Sequence, residues 1–255
     1  MMRAIFIIAL LLVLSCSVFA QSDRSWIKLT KQDAESLLTN SPWARTQTDT
    51  DVSELFYSPT KAGTASIVRS TTTPGGRFND QTSVNNNRAD EGAKNEAVTV
   101  KYHIRLFSAR PVREAIARMV VIDQIGRFEE ISGLMQPLID RDFGPYVVIT
   151  VAIDSNDGRA LGPVIQAFSK STADLLRNKT YLERKDGKRL FLMDYRPPQA
   201  DGLGAKFVFE RAPDGKPFIT QDAGNFRFYS EVSDKIKLNV KYNISDLMLN
   251  GKLEY

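Results

Sequence analysis

Residues 98–123 read VTVKYHIRLFSARPVREAIARMVVID, and this stretch decides the fold class. Val98, Val100, Tyr102, Ile104 and Leu106 alternate with Thr99, Lys101, His103, Arg105 and Phe107. One apolar face at a period of two predicts a half-buried strand. Ser108-Ala109-Arg110-Pro111 then switches the period. Pro111 suits a first helical turn, where a missing N–H leaves no hydrogen bond unmade. Val112, Ala115, Ile116, Met119 and Val120 follow at helical spacing as far as Asp123.

Downstream, residues 128–139 carry a second helical pattern. Residues 146–153 form a continuous apolar, β-branched run, which predicts a strand buried on both faces. A third helix is expected over residues 163–177, through Val164, Ile165, Phe168, Leu175 and Leu176. From residue 179 the signals are hairpins. Asp186-Gly187 separates residues 181–185 from 188–193 and supplies positive φ angles for a tight turn. Residues 206–211 and Phe218-Ile219 flank a Pro- and Gly-containing turn at residues 212–217. Residues 226–232 and 235–242 make another pair, and Asn250-Gly251 marks a hairpin within residues 246–255. The expected class is α+β: a mixed or antiparallel sheet, helices grouped mid-chain and a hairpin-rich C-terminal half.

Upstream, Thr30-Lys31-Gln32-Asp33 opens a short helix, with Thr30 as cap and Asp33 at its positive end. Ser41-Pro42 ends it, because the residue before a proline is pushed out of helical geometry. Trp43 follows and is expected to pack that helix onto the core. Residues 21–57 are therefore read as an N-terminal helix and Trp segment packed on a main domain at residues 97–255. Between them, residues 58–96 are rich in Ser, Thr, Asn and Gly. Such a stretch buries too little surface to offset its ordering entropy and reads as a polar flexible linker or loop.

Residues 1–20 combine Arg3, an apolar run at residues 4–14 and Val18-Phe19-Ala20 before Gln21, the order of a secretory signal peptide. The run is too short for the roughly 20 residues that cross a membrane. Val13-Leu14-Ser15-Cys16 loosely matches a bacterial lipobox, so Cys16 is a candidate lipidation site. Cleavage is expected after Ala20, or after Ser15 if the chain is lipidated. The chain is expected to be exported, periplasmic or extracellular, touching a membrane only through a lipid at Cys16.

One Cys and one His exclude disulfide frameworks, Cys–His nucleophiles and most zinc sites, so neither metal nor cofactor is expected. The net charge of +4 is mild and has no basic run, which gives no support to nucleic-acid binding. His103 between Lys101 and Arg105 reads as a neutral strand histidine. Ser25-x-x-Lys28 and Ser58-x-x-Lys61 match the Ser-x-x-Lys of penicillin-binding enzymes, but the Lys-Thr-Gly partner motif is missing. Asp154-Ser155-Asn156-Asp157-Gly158 lacks the spacing and distal Glu of a calcium loop and reads as a turn. Glu129-Glu130 and Asp140/Asp142 are paired carboxylates without a shared helical face.

Arg105, Arg110 and Arg113 surround the strand-to-helix switch. Arginine in a first helical turn opposes the helix dipole and needs a reason. One reason is an anion held by the guanidinium groups and free backbone N–H groups; the other is pairing with acidic residues elsewhere in the fold.

Leu29-Thr30-Lys31, Ser41-Pro42-Trp43-Ala44, Ser108-Ala109-Arg110-Pro111-Val112-Arg113-Glu114-Ala115 and Gly251-Lys252-Leu253-Glu254-Tyr255 together resemble an uncharacterised family of exported bacterial proteins. The resemblance covers most of the chain after the signal peptide and omits residues 58–96. It implies no activity, cofactor or site, only that the N-terminal helix and Trp43 belong with the rest as one unit. The expected function is a non-enzymatic envelope protein binding an envelope component or protein partner. The alternative is a carboxylate-dependent hydrolase of cell-wall or extracellular polysaccharide.

Overall fold

The computed structural model describes residues 26–50, 98–124 and 126–255. The segments read from sequence as a signal peptide (1–20, with Cys16) and a linker (58–96) lie outside the described residues, as do Ser25 and Ser58.

Helix α1 (Lys31–Thr39) starts as its sequence predicts. Asp33 N donates to Thr30 Oγ1 at 3.1 Å, and Thr30 N donates to Asp33 Oδ2 at 3.3 Å, a reciprocal capping box. At its other end Ser41 Oγ donates to Leu37 O at 2.8 Å, and the chain turns at Pro42. Trp43 is buried, and its Nε1 donates to Glu254 O at 2.9 Å. This contact ties the start of the described chain to its last hairpin.

Strand β1 (Ala44–Asp49) follows, and no apolar alternation announces it. Its sequence is ARTQTD. It is an edge strand, and its pairing with β2 (Val100–Leu106) sets its place: Ala44 lies opposite Arg105 and Asp49 opposite Val100. The chain between Asp49 and Val100 thus leaves and re-enters the sheet at one register position.

Two antiparallel sheets form the core. The first has the order β1-β2-β3-β7-β6, with β3 at Tyr146–Ser155, β7 at Ala205–Glu210 and β6 at Asp194–Arg196. The second has the order β5-β4-β8-β9, at Arg189–Phe191, Thr180–Arg184, Asn225–Glu231 and Lys237–Asn243. Strand β3 is buried continuously from Val147 to Val151, as a strand covered on both faces requires. Strands β8 and β9 alternate instead, sending Phe226, Phe228, Leu238, Val240 and Tyr242 inward. Across the interface Phe228 meets Phe207 and Phe209 edge-on, at 5.4 and 6.2 Å between ring centroids. Tyr242 OH donates to Ile104 O at 3.0 Å, so the buried phenol is satisfied.

Both sheet edges are closed, which answers the hazard of exposed strand edges. At one side β5 continues into β6, so the chain passes from the second sheet to the first. Leu192 N bonds Thr180 O at 3.0 Å, and Met193 N bonds Val208 O at 2.9 Å. At the other side Gln47 imitates a strand. Its Nε2 donates to Lys237 O at 2.8 Å, and its Oε1 accepts from Asn239 N at 2.9 Å. Gln47→Ala should therefore cost about 1–2 kcal/mol, since two bonds of about 1 kcal/mol each are lost. Urea denaturation of this variant beside Thr48→Ala, on the other face of β1, provides the check.

Helices α2 (Arg110–Asp123) and α3 (Phe128–Ile139) match their expected bounds. With α1 they stack in the order α1-α2-α3, and Trp26, Leu29, Ala117, Val121 and Ile139 make a second small core. Three local expectations are corrected. The helix expected over residues 163–177 is α4 (Gly158–Lys170), capped by Asp157, followed by a separate turn α5 (Ala173–Leu176), capped by Thr172. Ser171 and Thr172 are extended, and the Thr172 hydroxyl bonds α5 instead of letting α4 continue. The Asp186-Gly187 turn spans three residues: Arg184 N bonds Lys188 O, and only Gly187 has positive φ (81°). Phe218 and Ile219 form no strand, although Phe218 N bonds Arg211 O at 2.9 Å. Asn250 and Gly251 do take positive φ (49° and 75°) between β10 (Met248–Leu249) and β11 (Lys252–Leu253), as expected.

Candidate functional site

At the β2-to-α2 switch, Ala109 is the helix cap and has no side chain to accept a first-turn N–H. Glu254 supplies the missing acceptor: Arg110 N donates to its Oε1 at 2.7 Å. The C-terminal hairpin thus delivers a carboxylate to the positive end of α2, where backbone N–H groups and the helix dipole favour an anion.

Arg113 is only 5% exposed. Its Nε donates to Ile139 O at 3.0 Å, and its Nη1 donates to Phe107 O at 3.3 Å and to Ser108 O. Ile139 is the last residue of α3, so Arg113 closes the negative end of one helix while standing in the first turn of another. That position removes the dipole conflict that its place in α2 creates. Burial lowers its pKa, and nearby Glu254 works against that shift. Arg110 is half exposed. It bonds Glu114 at 2.8 Å and pairs with Asp140 at 3.4 Å, and the Glu114 hydrogen bond raises its pKa.

These residues line a cleft of about 460 Å³. Its other walls come from three distant places. The α3–β3 loop brings Asp140, Arg141, Asp142 and Phe143; Arg211 stands after β7; Glu254 and Tyr255 follow the last hairpin. The guanidinium groups of Arg113 and Arg141 lie 5.1 and 5.3 Å from the Phe143 ring centroid, and that of Arg211 lies 4.4 Å from Tyr255. Cation–π contact of this kind fixes a guanidinium without neutralising it. Arg211 Nη2 donates to Tyr255 O at 2.6 Å and to Tyr146 O at 3.2 Å. Arg141 is exposed and has no hydrogen bond or ion pair among the described residues. The carboxylates are all engaged by the chain itself. Glu254 accepts from Arg110 N, Asp140 accepts from Gln136 Nε2 at 2.6 Å, and Asp142 accepts from Gly144 N at 2.7 Å.

The structure thus brings Arg110 and Arg113 together and leaves Arg105 out. Arg105 is not among the residues lining the cleft and is held at the end of α1, its Nε donating to Leu38 O at 2.8 Å, and burial lowers its pKa to about 10. Arg113 fits neither expected reading: three carbonyl groups, not a carboxylate, hold its guanidinium inside, away from a bound anion. Arg141, Arg211 and Glu254 were not singled out from sequence. The one available signal was the position of Arg141 between the paired carboxylates Asp140 and Asp142.

The remaining candidates have structural roles. Thr46 Oγ1 donates to Thr39 O at 2.8 Å, so it must accept from His103 Nδ1 at 2.9 Å. That fixes the tautomer and leaves Nε2 unprotonated. Burial and Arg105 lower the His103 pKa, Asp154 acting against them, which favours the neutral ring. Asp157 accepts from Arg159 N at 2.9 Å as the cap of α4. Glu130 pairs with Arg127 at 2.6 Å on the surface of α3. Among the described residues no cluster of His, Cys, Asp and Glu could hold a metal ion, and no helix is long and apolar enough to cross a membrane. Comparison with protein-family models, curated proteins and solved structures finds no match to this chain.

Proposed function

We propose that this chain is an exported, non-enzymatic envelope protein that binds an anionic group of an envelope component or partner in the arginine-lined cleft. One observation carries the reading. Arg141 stands at the cleft with its charge unmatched, beside Arg110 and Arg211, whose positions are fixed by hydrogen bonds and an aromatic ring, while Arg113 lies buried behind them. A preset array of guanidinium donors is the usual means of holding a phosphate or carboxylate. The cleft's carboxylates are engaged with their own chain, which supports binding over carboxylate-based hydrolysis. The cleft exceeds a single small oxyanion, so a ligand with several anionic oxygens fits it best.

Calorimetric titration of the full chain with inorganic pyrophosphate and with citrate tests this. Arg141→Ala should weaken binding by about tenfold, the loss expected for a charge-assisted hydrogen bond. Its melting temperature should change little, because Arg141 makes no hydrogen bond or ion pair among the described residues and meets only the Phe143 ring. Absence of binding by either anion, or equal binding by the variant, contradicts the proposal. Export is checked separately by intact mass. A mature chain starting at Gln21, or at a lipidated Cys16, is expected, and a retained Met1 contradicts it.

A further inference from the structure

Helix α3 carries an apolar strip that leads into the cleft. Its Ser132 and Ile139 are buried, while Ile131, Leu134 and Leu138 follow at helical spacing along an outer edge. Ile131 and Leu138 are half-buried against the two cores. Leu134 is 61% exposed, and Gly133 beside it has open space where a side chain would stand. Leu134 therefore stands on a ridge. Arg127 precedes Ile131 by one turn, and Arg141, at the cleft, follows Leu138 by three residues. Strip and cleft are thus continuous. Tyr146, 39% exposed, borders the same cleft through Arg211, whose Nη2 donates to its carbonyl. The acidic neighbours do not cancel Arg141. Glu130 pairs with Arg127, Asp140 pairs with Arg110, and Asp142 accepts from Gly144 N. Glu129 lies about 140° around the helix from Leu134, off the strip.

We infer that strip and cleft together dock the chain on a bilayer containing anionic phospholipid, with a lipid phosphate on Arg141 and Arg110 and Leu134 in the acyl boundary. The inference rests on the cleft being an anion site. The pairing of charge with a ridge selects the occupant. A soluble polyanion neutralises Arg141 and leaves Leu134 in water. A helical peptide lays its apolar face in a groove, and a leucine on a ridge offers none. A lipid surface meets both features at once, because it sets phosphate beside hydrocarbon within the shallow depth that a surface helix can enter. Tyr146, with an apolar ring and a polar tip, suits the same boundary.

Co-sedimentation of the full chain with vesicles tests this, with Cys16→Ser present throughout so that no lipid tether contributes. Vesicles of phosphatidylglycerol with phosphatidylcholine should bind the chain, and phosphatidylcholine alone should bind it about tenfold more weakly or worse. Leu134→Gln should weaken vesicle binding by about tenfold, the loss expected for one leucine kept out of hydrocarbon. It should leave pyrophosphate binding and the melting temperature unchanged. Arg141→Ala should weaken the binding of both vesicles and pyrophosphate. Leu175→Gln, at a leucine 65% exposed elsewhere, should change neither. If pyrophosphate binds and phosphatidylglycerol vesicles do not, this inference falls and the anion cleft stands; if neither binds, both fall. The inference is also overturned if the two kinds of vesicle bind alike, if Leu134→Gln binds like Leu175→Gln, or if Arg141→Ala leaves vesicle binding intact. A dimer in sedimentation velocity that Leu134→Gln dissociates would assign the strip to a second copy of the chain and overturn it too.

Discussion

Phe228→Ala is expected to lower the unfolding free energy by about 4 kcal/mol, within the range for deleting a fully buried ring. Phe228 is inaccessible to solvent and is the ring through which β8 reaches across to Phe207 and Phe209 on β7. Removing it takes away apolar area, two edge-to-face contacts and the filling of the space between the sheets. That space has closed edges on both sides, at Gln47 and at the β5–β6 crossing, so the sheets have little freedom to collapse onto the void. For a chain of this size the loss corresponds to roughly 8–16 °C in melting temperature. Phe228→Leu, which keeps much of the volume, should cost about 1–2 kcal/mol. Equilibrium urea unfolding measures both, and a loss below about 1 kcal/mol for the alanine variant would show that the two sheets do not share one core.

The second large effect is at Arg113. Arg113→Ala should cost about 3 kcal/mol, because it strips a donor from the Ile139, Phe107 and Ser108 carbonyls in a buried setting. Arg113→Lys should rescue only part of this, since a single ammonium lacks the guanidinium's spread of donors. Arg110→Ala should cost no more than about 1 kcal/mol, since its ion pairs with Glu114 and Asp140 are largely solvated. Thermal melting of the three variants separates the roles. Equal melts for Arg113→Ala and Arg110→Ala would remove Arg113 from its place at the end of α3.

How much of this the sequence discloses depends on how local each feature is. The alternation at Val100–Leu106, the Pro111 start of α2 and the bounds of α3 are written in periodicity and in one proline, and the structure agrees with them. Strand β1 is hidden because an edge strand needs no apolar alternation; its partner and the Gln47 side chain hold it. The break between α4 and α5 is hidden because Leu175 and Leu176 continue a helical spacing that Ser171 and Thr172 interrupt by their own hydrogen bonds. The cleft is half legible for the same reason. Arg110 and Arg113 betray themselves by sitting where the helix dipole opposes them. Arg141, Arg211 and Glu254 come from loops and strand ends that only the folded chain assembles. Arg105 is misplaced by proximity in sequence: strand periodicity turns it toward the end of α1, away from the helix start it precedes.

The central claim is that the arginine-lined cleft is where an anion binds. Its most direct measurement is an NMR titration of the full chain with pyrophosphate, following backbone amides and arginine Nε–Hε signals. The account predicts that Arg141 and Arg110 Nε–Hε shift together with the Ser108 and Gly144 amides, and that Arg141→Ala moves the midpoint of the remaining shifts to about tenfold higher pyrophosphate. Pyrophosphate shifts confined to other surfaces, or none at all, would contradict it.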